Sequence, residues 1–283
     1  MKLSICNEVF GAEQTVESWK NLCGQVAAIG YEGIELAPFT LTADARQCDA
    51  RTRREIKNAA ADHGLPITAL HWLLVSPPGL HINAINEKTR LETVDFLRGL
   101  IDFAADVGAD TMIFGSPKQR AVEDNLQSAW KRAVDSYSKV LSTLEERGVT
   151  LCMESLPAPE CDFVMTAAEA AQMVSDVNHP NFKLMLDTKS LCGESGDPSG
   201  KSAAALIDQW GGQTHYYHAN DANRRAPGYG ETDFRLIASA LKNAGYDGWV
   251  SLEPFDYRPD PLTLAKESFA YMKECFKELE VRN

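Results

Sequence analysis

The sequence predicts a single (β/α)8 barrel, and three observations carry that reading. Eight short apolar runs, rich in β-branched and aromatic residues, are spread along 283 residues. Amphipathic helical runs separate them, which is the alternation of a parallel β/α architecture. The passage from helix to strand also repeats one local pattern, an apolar helical end, a Gly and a β-rich stretch, as in Ala27-Ala28-Ile29-Gly30 ahead of Ile34-Glu35-Leu36. Such strands are buried on both faces, as in a barrel wrapped by its helices. One domain over 1–283 is expected, because no Pro-, Gly- or Ser-rich linker divides the chain.

The elements follow in order. The first strand is expected at 3–7; the first helix closes at Gly30, and a strand follows at 33–38. Ala61-Asp62-His63-Gly64 ends the next helix before a strand at 67–74. A helix over 88–107 stops at Gly108, ahead of a strand at 111–115, and a helix over 122–147 stops at Gly148, ahead of a strand at 150–156. A helix at 167–177 precedes strands at 182–187 and 214–218. A helix at 233–243, a strand at 249–253 and a helix at 261–279 complete the chain. Gly just past a helix takes a left-handed backbone that other residues adopt at a cost. A doubly wound open sheet is the competing architecture. It would carry fewer strands and a Gly-rich phosphate turn after the first, where this chain has Asn7-Glu8-Val9-Phe10.

Charge and cysteine usage narrow the function classes. Lys and Arg total 28 against 40 Asp and Glu, a net charge of -12, which opposes binding to nucleic acid or an anionic membrane. Cysteines 6, 23, 48, 152, 161, 192 and 275 are odd in number and form no C-x-x-C pair, which points to reduced thiols and a cytoplasmic protein. Glu8 comes too early for a signal peptide, and no apolar run is long enough to span a membrane.

In a (β/α)8 barrel the chemistry sits at the carboxyl ends of the strands. Reading those ends gives Glu35, His71-Trp72, Ser116, Glu154, Asp187, His218 and Glu253. Glu154, Asp187, His218 and Glu253 end four consecutive strands, each after an apolar run such as Leu151-Cys152-Met153. Three carboxylates converging on one mouth repel unless a cation holds them. A set of three carboxylates and one imidazole suits Mn²⁺ first, with Mg²⁺, Co²⁺ or Zn²⁺ as alternatives. His215 and His218 are an odd number of residues apart on a strand, so only one can face the mouth, and His218 is the choice. His63, His81 and His179 fall in helix ends or loops and are expected at the surface.

Met153-Glu154-Ser155-Leu156, Leu186-Asp187-Thr188-Lys189, the run from His218 through Arg224-Arg225 to Gly230, and Ser251-Leu252-Glu253-Pro254 together resemble the xylose isomerase-like TIM-barrel superfamily. Within it they are similar to the sugar isomerase/epimerase group that includes D-tagatose and D-psicose 3-epimerases. The intervals of 33, 31 and 35 residues between Glu154, Asp187, His218 and Glu253 are close to that family's. The resemblance implies that these four bind one divalent ion. It also makes Glu154 and Glu253 the acid/base pair, and Glu160 and Arg224 the grip on substrate hydroxyls. His71 and Lys189 are expected as further substrate contacts. Ser190 stands where the epimerases carry a histidine, so a larger or anionic keto-sugar is expected rather than a free hexulose. The Arg224-Arg225 loop and Lys189 are the candidate anion contacts; a flexible loop with solvated arginines is the alternative. Lys118-Gln119-Arg120 is expected to be solvated.

The expected activity is a metal-dependent sugar isomerase or epimerase. It would remove a proton beside a carbonyl through an enediolate, on a ketose, sugar phosphate or keto-sugar derivative. The same parts would serve a lyase or dehydratase of a keto-sugar or inosose. An AP endonuclease-like hydrolase would need more strand-end histidines than the 6 His allow, and a non-catalytic sugar-binding protein would not need both glutamates. The partner is a small-molecule carbohydrate, with no nucleic acid and no membrane, and a homodimer or homotetramer is compatible with the sequence.

Overall fold

A computed structural model describes residues 1–281, with side chains through Lys277, so the domain expected over 1–283 runs two residues beyond it. The chain runs β1 (Lys2–Ile5), α1 (Val16–Ile29), β2 (Ile34–Leu36), α2 (Ala50–Ala61), β3 (Ile67–Leu70) and α3 (Glu87–Val107). It continues through β4 (Thr111–Phe114), α4 (Leu126–Ser138), α5 (Leu141–Arg147), β5 (Thr150–Met153), α6 (Ala167–Val177) and β6 (Phe182–Asp187). The remaining elements are α7 (Thr188–Ser195), α8 (Lys201–Trp210), β7 (Thr214–Ala219), α9 (Phe234–Asn243), β8 (Trp249–Leu252) and α10 (Pro261–Val281).

All eight expected strands form. They pair in parallel in the order β1-β8-β7-β6-β5-β4-β3-β2, and a bridge between Cys6 and Glu35 brings β1 against β2 to close the barrel. No helix among the described residues is long and apolar enough to cross a membrane.

Strand alternation builds the interior in layers. Ala69, Ile113, Cys152, Met185 and Tyr216, from five consecutive strands, pack together inside the barrel. Two residues further along each strand, on the same face, stand His71, Gly115, Glu154, Asp187 and His218. An apolar layer therefore floors a polar one at the mouth. The larger apolar cluster fills the space between strands and helices, with Trp19 donating its indole N–H to the carbonyl of Ile56 at 3.0 Å.

Three helical regions differ from expectation. The helix expected over 122–147 starts at Leu126, capped by Asn125, and is interrupted at Lys139 and Val140. Ser138 Oγ donates back to the carbonyl of Val134 at 2.8 Å, a contact that bends helices. Neither α7 nor α8 has a strong local signal. α7 buries its first turn, and α8 starts from Gly200 without a side-chain cap. At the other end of the expected run, β3 stops at Leu70, and the chain turns at Trp72 with φ 52°.

Candidate active site

The fold brings one ligand atom each from Glu154, Asp187, His218 and Glu253 to within 4.8 Å of one another, and all four residues are buried. Asp187 and His218 are register partners on β6 and β7. Glu154 and Glu253 follow the last residues of β5 and β8. Asp187 also caps α7: Oδ1 accepts from the Ser190 N–H at 2.7 Å, and Oδ2 accepts from Asn220 Nδ2 at 2.7 Å. Glu154 is fixed from behind by Arg120, whose Nη1 donates to the Glu154 carbonyl at 2.6 Å. Arg120 is fully buried, so the Lys118-Gln119-Arg120 loop is solvated only in part, with Lys118 exposed and Arg120 structural. The end of β4 leaves space for the Glu154 carboxyl, because a Cβ on Gly115 would lie 1.7 Å from Oε2.

A second set of charged groups supports the first. Glu35 is fully buried; its Oε1 lies 3.0 Å from His218 Nε2 and 3.2 Å from His71 Nδ1, and its Oε2 accepts from the Tyr216 hydroxyl at 2.9 Å. His71 Nε2 lies 2.8 Å from Glu8 Oε2. Burial alone would raise the Glu35 pKa, but His218 and His71 outweigh it and hold the carboxyl at about 2. Burial likewise opposes a charge on His71, yet Glu8 and Glu35 push its pKa up to about 9. For Glu154 the pull of His218 and Lys189 is too weak to compensate. Burial first, then Glu253 and Asp187, push its pKa up to about 8, and burial also raises Glu253 against the pull of His218.

These residues fit a divalent cation. The donor set is hard and anionic. His218 Nδ1 is buried and has no hydrogen-bond partner; it lies 3.1 Å from Glu253 Oε2 without the alignment of a hydrogen bond. An imidazole nitrogen left unpaired beside three carboxyl groups is suited to coordination.

A cavity of about 200 Å³ opens above the four residues. His71, Trp72, Gly115, Glu154, Glu160, Arg224, Glu253 and Phe255 are among its walls. Trp72 and Arg224 both hold a positive φ, of 52° and 72°, a backbone cost found where side chains are aimed at a site. The Arg224 guanidinium stacks over Phe255 at 5.0 Å and has no ion-pair partner among the described residues. Lys189 does not line the cavity. Its buried ammonium lies 2.7 Å from Glu160 Oε1 and 5.3 Å from the Phe255 ring centroid. Arg225 stacks on Tyr229 and donates to the Arg258 carbonyl. The two expected anion contacts beside Arg224 thus each have a partner within the protein.

His215 lies among Asp110, Thr111, Gly211 and Trp249, away from the four-residue cluster, as the alternation argument requires. His81 and His179 are half-buried rather than at the surface, His81 with its backbone N–H on Thr93 Oγ1, while His63 is exposed as expected. Sequence reasoning missed Glu8, Gly115 and Phe255. For Glu8 and Gly115 the only available signal was position at a strand's carboxyl end; for Phe255 it was the place two residues after Glu253.

The profile of the family described as xylose isomerase-like TIM barrel matches residues 23–275. D-psicose 3-epimerase of Ruminiclostridium cellulolyticum is 28% identical over 245 residues, covering 84% of this chain and 78% of that protein. D-psicose 3-epimerase of Enterocloster bolteae is 30% identical over 249 residues, covering 84% and 77%. A solved structure of L-ribulose 3-epimerase superposes with a TM-score of 0.86 at 23% identity, over 99% of this chain and 96% of that one.

Two outcomes follow from the site's packing and charge. Gly115→Ala should cost about 1–3 kcal/mol in denaturant unfolding, the range for overpacking, and the cost should vanish in a Glu154→Ala background because the clash is with that side chain. Equal costs in both backgrounds would place the clash elsewhere. In chelator-treated protein, Glu154 and His71 bind protons more tightly folded than unfolded, since their folded pKa values are about 8 and about 9. Their stabilising contribution is complete below the unfolded values and is lost as pH rises through the folded ones. Unfolding free energy should therefore fall between pH 6 and pH 9, by up to about 1.4 kcal/mol per pH unit for each proton. A flat or rising profile would contradict these assignments.

Proposed function

The chain belongs to the xylose isomerase-like TIM barrel family, and we propose that it is a metal-dependent sugar epimerase or aldose–ketose isomerase acting on a neutral ketose. The observation that carries this reading is the convergence of Glu154, Asp187, His218 and Glu253 beneath a cavity sized for a single sugar. The named relatives are ketose 3-epimerases, which supports an isomerase.

Glu154, Asp187, His218 and Glu253 hold the ion, Mn²⁺ being the best match to the donor set. When bound, the ion supplies a Lewis acid for the substrate's carbonyl and adjacent hydroxyl oxygens. Glu154 and Glu253 are the two carboxyl groups that face the cavity from within this set. One takes the proton from the carbon beside the carbonyl and the other delivers a proton, with the roles exchanged in the reverse direction. Arg224 offers a planar fork of donors to substrate oxygens, and Glu160 accepts from a hydroxyl. Trp72 and Phe255, edge to face at 6.3 Å, give the cavity an aromatic wall for the C–H face of a sugar.

Among the substrate classes the sequence left open, the neutral ketose is favoured because Lys189 and Arg225 are already engaged by Glu160 and Tyr229. A phosphate would have only Arg224 to meet it.

Incubating the Mn²⁺-loaded protein with free pentuloses and hexuloses in deuterated water tests this reading. Deuterium should enter the carbon beside the carbonyl, and Glu154→Gln or Glu253→Gln should each lower the exchange rate by about two to four orders of magnitude. Exchange into sugar phosphates but not free ketoses would overturn the substrate class. Accumulation of a dehydrated product would replace the isomerase with the lyase.

A further inference from the structure

We propose that Glu35, which lies outside the four-residue donor set, is the positioning residue that fixes the ion-binding tautomer of His218; the inference rests on the metal-dependent reading above. A neutral imidazole carries hydrogen on one ring nitrogen and a lone pair on the other, and the hydrogen-bond partner of one decides which. His218 Nε2 faces only Glu35 among the described residues, at 3.0 Å from Oε1 and 3.3 Å from Oε2.

Glu35 itself is held by one hydroxyl donor and approached by a second imidazole. The Tyr216 hydroxyl donates to Oε2 at 2.9 Å, and His71 Nδ1 sits 3.2 Å from Oε1. Tyr216 is held in turn by the Thr68 hydroxyl at 2.7 Å, and Thr68 by Ser4 at 2.9 Å. A carboxylate that accepts from a hydroxyl in a dry interior, beside two imidazoles, acts as an acceptor. Glu35 therefore holds a hydrogen on His218 Nε2 whatever the charge of the ring, and the nitrogen that a cation would claim is Nδ1, which lies 3.1 Å from Glu253 Oε2.

The barrel seam fixes Glu35 mechanically as well. Its backbone forms the bridge to Cys6 that brings β2 against β1, and its side chain is fully buried. The opposite tautomer would point a hydrogen from Nδ1 into the donor set and turn a ligand into an obstacle. Carboxylates that orient metal-binding histidines in this way sustain affinity without touching the metal.

The test uses the full-length protein with Mn²⁺ titrated calorimetrically, and Mg²⁺ as a diamagnetic probe for nitrogen NMR. Glu35→Gln should unfold cooperatively and bind Mn²⁺ about 10- to 100-fold more weakly than the parent. In the Mg²⁺-bound parent, the His218 nitrogen shifts, assigned by loss in His218→Ala, should show hydrogen on Nε2 and none on Nδ1. A folded Glu35→Gln with parental Mn²⁺ affinity would overturn the proposal while leaving the function intact. Hydrogen on Nδ1 in the Mg²⁺-bound parent would do the same, and it decides the matter even if Glu35→Gln fails to fold. A parent that binds no Mn²⁺ would overturn the metal-dependent reading and this proposal together.

Discussion

The mouth of this barrel is organised by mutual repulsion of buried carboxyl groups. Glu154, Asp187 and Glu253 crowd into one small volume, each at most 6% exposed, with His218 as the only imidazole among them. Such a cluster persists only if protons or a cation neutralise it. Burial raises the pKa of Glu154 and of Glu253, which lowers the cost of protonating either one. The geometry that makes the site costly when empty of positive charge is the same geometry that would bind a divalent ion.

Much of the surrounding structure is explained by this constraint. Asp187 is offset by the N-terminus of α7 and by Asn220. His218 is held at Nε2 by Glu35, with Nδ1 left beside Glu253. Glu35 and Glu8 are joined through His71, so that the outer carboxyl groups are balanced by imidazoles rather than added to the repulsion. Arg120 holds the Glu154 backbone while its charge stays out of the cavity. Around the rim, Lys189 answers Glu160, which among the described residues leaves Arg224 as the cation without an ion-pair partner facing the substrate space.

The barrel and its four central residues were legible in the sequence because both rest on local rules. Strand alternation fixes which residues face inward, and apolar runs ending in Glu154, Asp187, His218 and Glu253 mark where strands leave the core. Partnerships across the barrel were not legible. Nothing near Lys189 in the chain announces Glu160 as its partner, and the pairing of Glu8 with His71 needs β1 and β3 brought together. Glu35 was visible as a strand-end carboxylate, but its contact with His218 spans 183 positions and the barrel's closure. Of the missed helices, α7 is a short run whose Asp187 cap reads as a strand-end ligand, and α8 starts from Gly200 with no side-chain cap to announce it.

The convergence at the mouth predicts that Glu154, Asp187, His218 and Glu253 share one divalent ion. Anomalous diffraction from crystals grown with Mn²⁺ tests it most directly. One strong peak should appear within coordination distance of Glu154, Asp187, Glu253 and His218 Nδ1, and it should be absent from crystals of Asp187→Ala. A peak bound by other residues, or none at this cluster in well-diffracting crystals, would contradict it.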